Sequence, residues 1–529
     1  MFTLALSACL APERSPFLHP RWEQALDHAE RNAPARDIPT LQSGALPPAT
    51  LSPIPSGPLE LSVEETTQFA LARNPELTVA QLEPVIAGAY QLIERGVFDP
   101  EAFAELRTSS TTTRETDRGT GGQFSVDFRN LSAGGGVRQN LPHGTRLQAE
   151  VTTDRDISNR TPEQQEARLR LSITQQLLRG AGPVANLARV HQAQLTTEAS
   201  VYELRGYVEH FVAQVESAYW RYGLAGERIA IFERTLDVAR RQRDDTEQRI
   251  AVGLLPETQA AAARAEVARH EQALIDARSD LESQRLQLLR RMGVTGPNAM
   301  DRALITRYAN DINPAPITQL SDRIALAAIH RPDLAEAQLR LEQNRLETLI
   351  TQNGLLPRLE VFAAFDQTGF SDRLDDAFGN LNGDTHRLTG GVRFSQWLDN
   401  DAARGRDRIA FATRRQGAAA VNNLKQLIEL EVRLAANEAQ RARQQITASR
   451  TTRELEEKVA QAEQKRFNAG SGTALLVAQA QRDLLAAQIA QAQAVVAWRL
   501  ALVELYRAEG TLLERRGIVI ETTTPADDF

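Results

Sequence analysis

The sequence predicts a mainly α chain in which one helix–strand–strand–helix unit is used twice, and three observations predict it. The first is a turn that occurs in two copies, Arg249-Ile250-Ala251-Val252-Gly253-Leu254 and Arg466-Phe467-Asn468-Ala469-Gly470-Ser471. Each copy follows a long helical pattern and opens another, Gln259 to Gly293 and Leu475 to Gly510. The Gly253–Gly293 and Gly470–Gly510 intervals are both 40 residues. Equal spacing in two places marks a duplication, and a glycine between two helices supplies the left-handed backbone that ends the first. The second observation is composition: Ala, Gln, Glu, Arg and Leu dominate, with 5% aromatic and 24% charged residues among 529. That mixture favours long helices packed closely through alanine. The third is that strand-like alternation is confined to two stretches, one in each copy.

Taken in order, the chain begins with a short apolar run ending in Leu6-Ser7-Ala8-Cys9, which resembles a bacterial lipobox. Lipid attachment at Cys9 is the expectation, with residues 1–9 as its signal, although no Lys or Arg precedes the run and it is short for a signal peptide. Cys9 is the chain's one cysteine, so no intramolecular disulfide forms. Residues 10–58 are Pro-rich (Pro47-Pro48, Pro53-Ile54-Pro55) and read as an extended arm, with a short amphipathic segment near Trp22 to Glu30.

Repeat 1 occupies residues 59–293. Ser62 and Glu65 stand at capping-box spacing and open a helix that breaks at Asn74-Pro75, where a second helix starts and runs to Gly96. Phe103 to Thr113 alternates weakly. Gly136 to Leu141, Pro142-His143-Gly144 and Thr145 to Val151 read as strand, turn and strand, and Arg168 to Thr174 alternates again. From Pro183 to Val252 no strong breaker intervenes, which is about 105 Å of helix. Val208, Val212, Val215, Tyr219, Tyr222 and Ile229 form a heptad seam, and Leu274, Leu281 and Leu288 continue a seven-residue spacing in the return helix. A helix this long belongs to a stalk, a rod or a tunnel wall. Residues 294–316 read as a linker.

Repeat 2, residues 317–510, starts at Leu320-Ser321-Asp322, breaks at Arg331-Pro332 and continues to about Gly354. Strands follow at Arg358 to Phe365 and Leu388 to Trp397, then a long helix from Ala402 to Asn468, and residues 511–529 form a tail. Pro75 to Gly253 spans 178 residues and Pro332 to Gly470 spans 138, so copy one carries 40 extra residues, all in its β-like part.

This order, in duplicate, resembles the TolC-like outer-membrane efflux factors over roughly Leu59 to Glu514. The residues that carry the resemblance are Asn74-Pro75 with Arg331-Pro332, Leu356-Pro357 before a strand, Gln176-Leu177-Leu178-Arg179-Gly180-Ala181-Gly182 after one, and the two turns. The resemblance implies a homotrimer, each subunit adding strands to one shared transmembrane β-barrel in outer-membrane lipid, above a long α-helical coiled-coil tunnel in the periplasm. It implies a passive exit duct of a tripartite efflux pump or a type I secretion system, with a periplasmic adaptor and an inner-membrane transporter as partners. Membrane physics agrees, because open sheet edges are forbidden in lipid and one subunit's few strands close nothing. Three departures stand out. Gln175-Gln176 replaces the usual Gln-Pro, and the hairpin near 136–151 either enlarges the barrel or lies outside it as a loop. The acidic ring that can narrow the family's tunnel is matched only by Glu257, since copy two has Leu475, Leu476 and Val477. Closure then rests on apolar packing or on Glu257 alone.

The candidate docking surface is the pair of tips: Arg249, Val252, Gly253 and Leu254 with Arg466, Ala469, Gly470 and Ser471. In the family such tips meet the adaptor, while each glycine also caps its helix and each arginine complements the helix dipole. Glu257 is the candidate gate residue. The sequence offers no enzyme site, cofactor or metal centre: the eight histidines are scattered, and Gly134-Gly135-Gly136 lacks the Lys-Ser/Thr of a phosphate loop. Asp372, Asp375 and Asp376 read as a solvated loop, and Cys9 has no base beside it. A net charge of −7 without a basic stripe excludes nucleic acid as an expected partner. No run of 18 apolar residues predicts a transmembrane helix, which leaves a β-barrel open. The competing reading, from another class, is a soluble coiled-coil scaffold, against which the strands and the lipobox both count.

Overall fold

The structure, a computed structural model, describes residues 58–116, 118–294, 299–307, 314, 316–317, 319–381 and 385–520. Cys9 and the Pro-rich arm before residue 58 lie outside the described residues, as does the tail beyond 520.

Copy one opens with a short strand, β1 (Leu59–Leu61), and helix α1 (Val63–Arg73). The expected capping box is present: the Ser62 hydroxyl accepts from the Glu65 N–H at 3.1 Å, and the Glu65 carboxylate accepts from the Ser62 N–H at 2.7 Å. Asn74 then caps α2 (Pro75–Gln81), its Oδ1 accepting from the Glu76 N–H at 2.7 Å. The single helix expected to reach Gly96 is instead divided at Leu82, and α3 (Glu83–Arg95) follows. Pro84 has no N–H to give to the carbonyl of Ala80, so the hydrogen-bond ladder lapses there.

The β region of copy one holds four strands, each longer than its sequence signal: β2 (Glu101–Thr116), β3 (Gln123–Asn140), β4 (Thr145–Ser158) and β5 (Gln164–Gln176). A single turn, α4 (Pro183–Asn186), precedes α5 (Ala188–Ala251), so the long helix starts past a break at Leu187 rather than at Pro183. At 64 residues α5 is about 100 Å long. After the first tip α6 (Thr258–Arg291) returns alongside it, and the linker contributes β6 (Leu304–Thr306), paired in parallel with β1.

Copy two repeats the plan with α7 (Leu320–His330), α8 (Pro332–Leu355), β7 (Arg358–Ser371), a short α9 (Leu374–Gly379), β8 (His386–Ser395), α10 (Asp401–Asn468) and α11 (Ala474–Ala508). Asp375 and Asp376 sit in α9 rather than in an irregular loop, with Arg373 beside Asp375 at 3.3 Å. A last turn, α12 (Leu512–Arg515), buries Leu512 and Leu513, so the expected tail begins as a docked element. Among the described residues no helix is long and apolar enough to cross a membrane.

The helical core is a coiled-coil seam in each copy. Val208, Val212, Val215, Tyr219 and Tyr222 of α5 are all buried, as are Leu274 and Leu288 of α6. In α10 Val421 and Ile428 stand seven apart, Ile428, Val432, Ala435, Ala439, Ala442 and Ile446 recur at three- and four-residue steps, and the row packs on Trp498, Ala501 and Leu505 of α11. The alanines bring the backbones close, which is where the unusual composition is spent.

Each return helix ends against the proline break of its own copy. Gly293 has φ +65°, and a Cβ there would sit 2.5 Å from the Arg73 carbonyl oxygen. Asn74 Nδ2 donates to the Arg291 carbonyl at 2.8 Å across the same contact. In copy two Gly510 has φ +68°, and a Cβ would meet the Arg331 nitrogen and His330 carbonyl carbon at 2.8 Å. Arg331, nearly buried, occupies the place of Asn74 and pairs with Asp333 at 2.6 Å and Glu431 at 2.8 Å. Nearby, the C-terminal segment is fastened by buried acids. Glu216 takes a bidentate pair from Arg516 at 2.6 and 2.7 Å, Glu509 receives Arg323 and Arg515, and Glu209 accepts from the Leu512 N–H at 3.2 Å. Burial pushes the Glu209 carboxyl up to about 7, against the pull of the Leu512 N–H and Arg205.

Two outcomes are expected. Gly293→Ala and Gly510→Ala combine a left-handed backbone with a backbone clash and should each cost about 2–3 kcal/mol or more, whereas Gly253→Ala, which has open space, should cost about 1 kcal/mol. Thermal unfolding of the three variants checks the ordering. The Glu209 carboxyl binds its proton more tightly folded than unfolded, so it stabilises the fold at low pH. That contribution is lost as pH rises from about 4.5 through about 7. Melting curves from pH 5 to 8 should show wild type losing stability relative to Glu209→Gln, and a constant difference would contradict the assignment.

Candidate functional site

Two regions expose what a folded interior would hide: one face of the large sheet, and the tips of the helical hairpins. Among the described residues the sheet has six antiparallel strands in the order β2-β3-β4-β5-β7-β8. Its register lines up one row across all six: Ala102, Val137, Ala149, Leu171, Phe365 and Leu388. Because side chains alternate along a strand, residues an even number of positions away share that face, including Leu106, Leu131, Leu147, Val151, Leu169, Ile173, Val361, Val392 and Phe394. Most are exposed, Leu388 to 77%, while Leu169 and Phe365 are half-buried. The result is a continuous apolar belt about 20 Å tall, near the height of the outward band of an outer-membrane barrel.

The opposite face is polar and internally paired. Its adjoining row reads Phe103, Gly136, Glu150, Arg170, Asp366 and Arg387. Arg170 lies 2.5 Å from Asp366 and 3.9 Å from Glu150, Arg138 pairs with Glu101 at 2.7 Å, and Arg393 pairs with Glu360 at 2.5 Å. A sheet with one apolar exposed face and one charged face is a wall between lipid and water. Where β8 runs into α10, Trp397 and Leu398 are exposed to 75% and 96%, as an interfacial anchor beside the belt requires. The sequence predicts the strand to Trp397, whereas β8 ends at Ser395 and leaves Trp397 beyond it. The alternation and the position of Trp397 at the strand end were the available signals.

The tips are built alike. In the first, the Gly253 N–H donates to the Ile250 carbonyl at 2.9 Å and the Leu254 N–H to Arg249 at 2.8 Å. In the second, the Gly470 N–H donates to Phe467 at 3.0 Å and the Ser471 N–H to Arg466 at 2.9 Å. Both are Schellman caps, with φ +75° at Gly253 and +76° at Gly470. Val252 and Leu254 are 70% and 73% exposed, and Leu475 in copy two is 63% exposed. Ala469, Gly470 and Ser471 are exposed as well.

The two arginines differ. Arg466 pairs with Glu463 on its own helix at 2.9 Å. Arg249 joins the tips: it lies 3.0 Å from Asp245, donates to the Phe467 carbonyl and Asn468 Oδ1 at 3.4 Å, and stacks its guanidinium 4.8 Å from the Phe467 ring centre. Its role is therefore to hold one tip against the other. Glu257 is exposed at the N-cap position of α6, without a side-chain capping bond. Above the tips His270 lies 3.4 Å from Glu266 in a crevice shared with Thr246, Gln464 and Arg482. Burial holds its imidazole below the ordinary value, opposed by Glu266. Among the described residues no group of three or more His, Cys, Asp or Glu is placed to hold a metal ion.

The outer membrane efflux protein family model matches residues 171–294 and 324–511, more than half of the chain and most of both repeats. Its fold is that of solved outer-membrane channels. The CmeC outer membrane channel of Campylobacter jejuni superposes with TM-score 0.64 at 14% identity, over 85% of this chain and 86% of that one. VceC, an outer membrane protein of Vibrio cholerae, gives 0.62 at 18% identity over 85% and 96%. The open MtrE outer membrane channel of Neisseria gonorrhoeae gives 0.58 at 17% identity over 87% and 91%. No curated protein matches the chain by sequence. With the apolar belt, the long paired hairpins and the duplicated tips already in place, the match over both repeats shows that the chain belongs to the outer membrane efflux protein family, the exit channels of the bacterial outer membrane.

Proposed function

We propose that three copies assemble into one passive conduit, which carries substrate from the periplasm to the outside with no chemistry of its own. The observation that supports this most is the belt, which runs without interruption to both edges of the sheet, at β2 and at β8. Apolar surface at both rims calls for lipid outside and a neighbouring copy on each side. Direction then comes from an inner-membrane transporter, coupled through a periplasmic adaptor that grips the tips. Val252, Leu254 and Leu475 supply an exposed apolar surface for that grip, Gly253 and Gly470 set the turn geometry, and Arg249 holds the two tips in register. Glu257 stands where it can face the tunnel mouth, as the acidic member of an otherwise apolar closure.

Cross-linking of the detergent-extracted protein should give a species of three subunits. Leu254→Asp, or Gly253→Pro with its lost N–H bond, should weaken adaptor co-purification at least tenfold while the trimer and its membrane fraction stay intact. Normal adaptor recovery from both variants would remove the tips from the docking surface.

A further inference from the structure

We infer that all six strands of each copy lie in the membrane wall, so that three copies close one barrel of 18 strands in which β8 of each copy pairs with β2 of the next. This rests on the trimer proposed above. The strand count itself comes from the sheet. Copy two contributes two strands and copy one contributes four, the surplus being the β3–β4 hairpin. Two strands from each copy of the repeat would give only twelve.

Three observations put the hairpin in the wall. First, β2 and β5 do not pair with each other: β2 bonds to β3 and β5 to β4, along 16 and 12 residue pairs respectively. Lifting the hairpin out would strip both strands of their backbone partners, which lipid does not permit. Secondly, the belt passes through it without a gap. Val137 and Ala149 carry the row from Ala102 to Leu171, while Leu131, Leu147 and Val151 extend it on either side. A hairpin standing outside in water would have no reason to keep an apolar face aligned with its neighbours. Thirdly, its inner turn is bonded into the junction with the helices. Asn186 Nδ2 donates to the Pro142 carbonyl at 2.9 Å, the Gly182 N–H to His143 at 3.2 Å, and the Gln176 N–H to Gly144 at 3.0 Å. Gly144 has φ +85°, and a Cβ there would lie 2.2 Å from the Gly180 oxygen. The turn is packed where the wall meets its base.

Direction and parity also allow closure. β2 leaves the helical base and β8 returns to it, so the free edges of adjacent copies meet antiparallel, and six strands per copy give an even total. For strands about 4.8 Å apart and tilted about 40°, 18 strands imply a backbone radius of about 18 Å, against about 12 Å for twelve. The outer mouth is then half again as wide as the repeat alone would make it. Its charged inner face, with Glu150, Arg170 and Asp366, lines water rather than a packed core.

The test is a strand count in transverse sections of the full-length protein, reconstituted in lipid nanodiscs and imaged by electron cryomicroscopy. A ring of 18 strands around a threefold axis is expected. Deletion of residues 123–162, which removes β3 and β4 and leaves β2 and β5 free to pair, should give a threefold ring of twelve. A wild-type trimer with twelve strands and the hairpin outside the wall would overturn the inference and leave the trimer intact. A particle with any other number of subunits would overturn the trimer and the count of 18 with it.

Discussion

A peptide group inside hydrocarbon must have its hydrogen bonds made by protein, and that constraint organises this molecule. The belt from Ala102 to Leu388 offers lipid a surface it can wet, but the sheet that carries it ends at two unpaired edges. In the proposed trimer, antiparallel pairing between subunits resolves them, and that pairing dictates where everything below must go. The strands of each copy enter from helices and return to them. The proposed ring of sheets would therefore continue as a ring of helical hairpins whose long arms are each about 100 Å.

Within a copy the helices hold their angle through a few close backbone contacts rather than through bulk. Gly293 against Arg73 and Gly510 against His330 and Arg331 are two instances of one device, in which the end of a return helix is pressed onto a proline break. Around them sit buried acids with fixed partners: Glu216 with Arg516, and Glu509 with Arg323 and Arg515. Breaking one member of such a pair leaves a buried charge without compensation. The C-terminal turn is thus tied to the same level as the breaks, and the seams close through alanines interleaved with larger side chains such as Val432, Ile446 and Trp498.

Much of this was legible in the sequence because its cause is local. The Ser62–Glu65 box, the Asn74-Pro75 and Arg331-Pro332 breaks and the two glycine tips each depend on residues within a few positions of one another, and each formed. The β3–β4 hairpin was visible as a turn at Pro142-His143-Gly144, but its membership of the sheet was not, because register with β2 and β5 is set by pairing across the chain. The division of α2 from α3 has a local cause too, at Pro84, although the sequence predicts one unbroken helix to Gly96. At the tips, Val252 and Leu254 are exposed. That Arg249 spans to Phe467, 218 residues away, could not be read from either turn alone. The same holds for the bond from Asn74 to Arg291, which joins residues 217 apart.

The most direct test of the account is single-channel recording on the detergent-extracted protein in a planar lipid bilayer, after separation of the inner and outer membranes. Recovery in the outer-membrane fraction and discrete conductance steps are expected if the belt seats the protein in lipid and the charged face lines a continuous aqueous path. A water-soluble product that leaves the bilayer silent would contradict it and return the long helices to a scaffold.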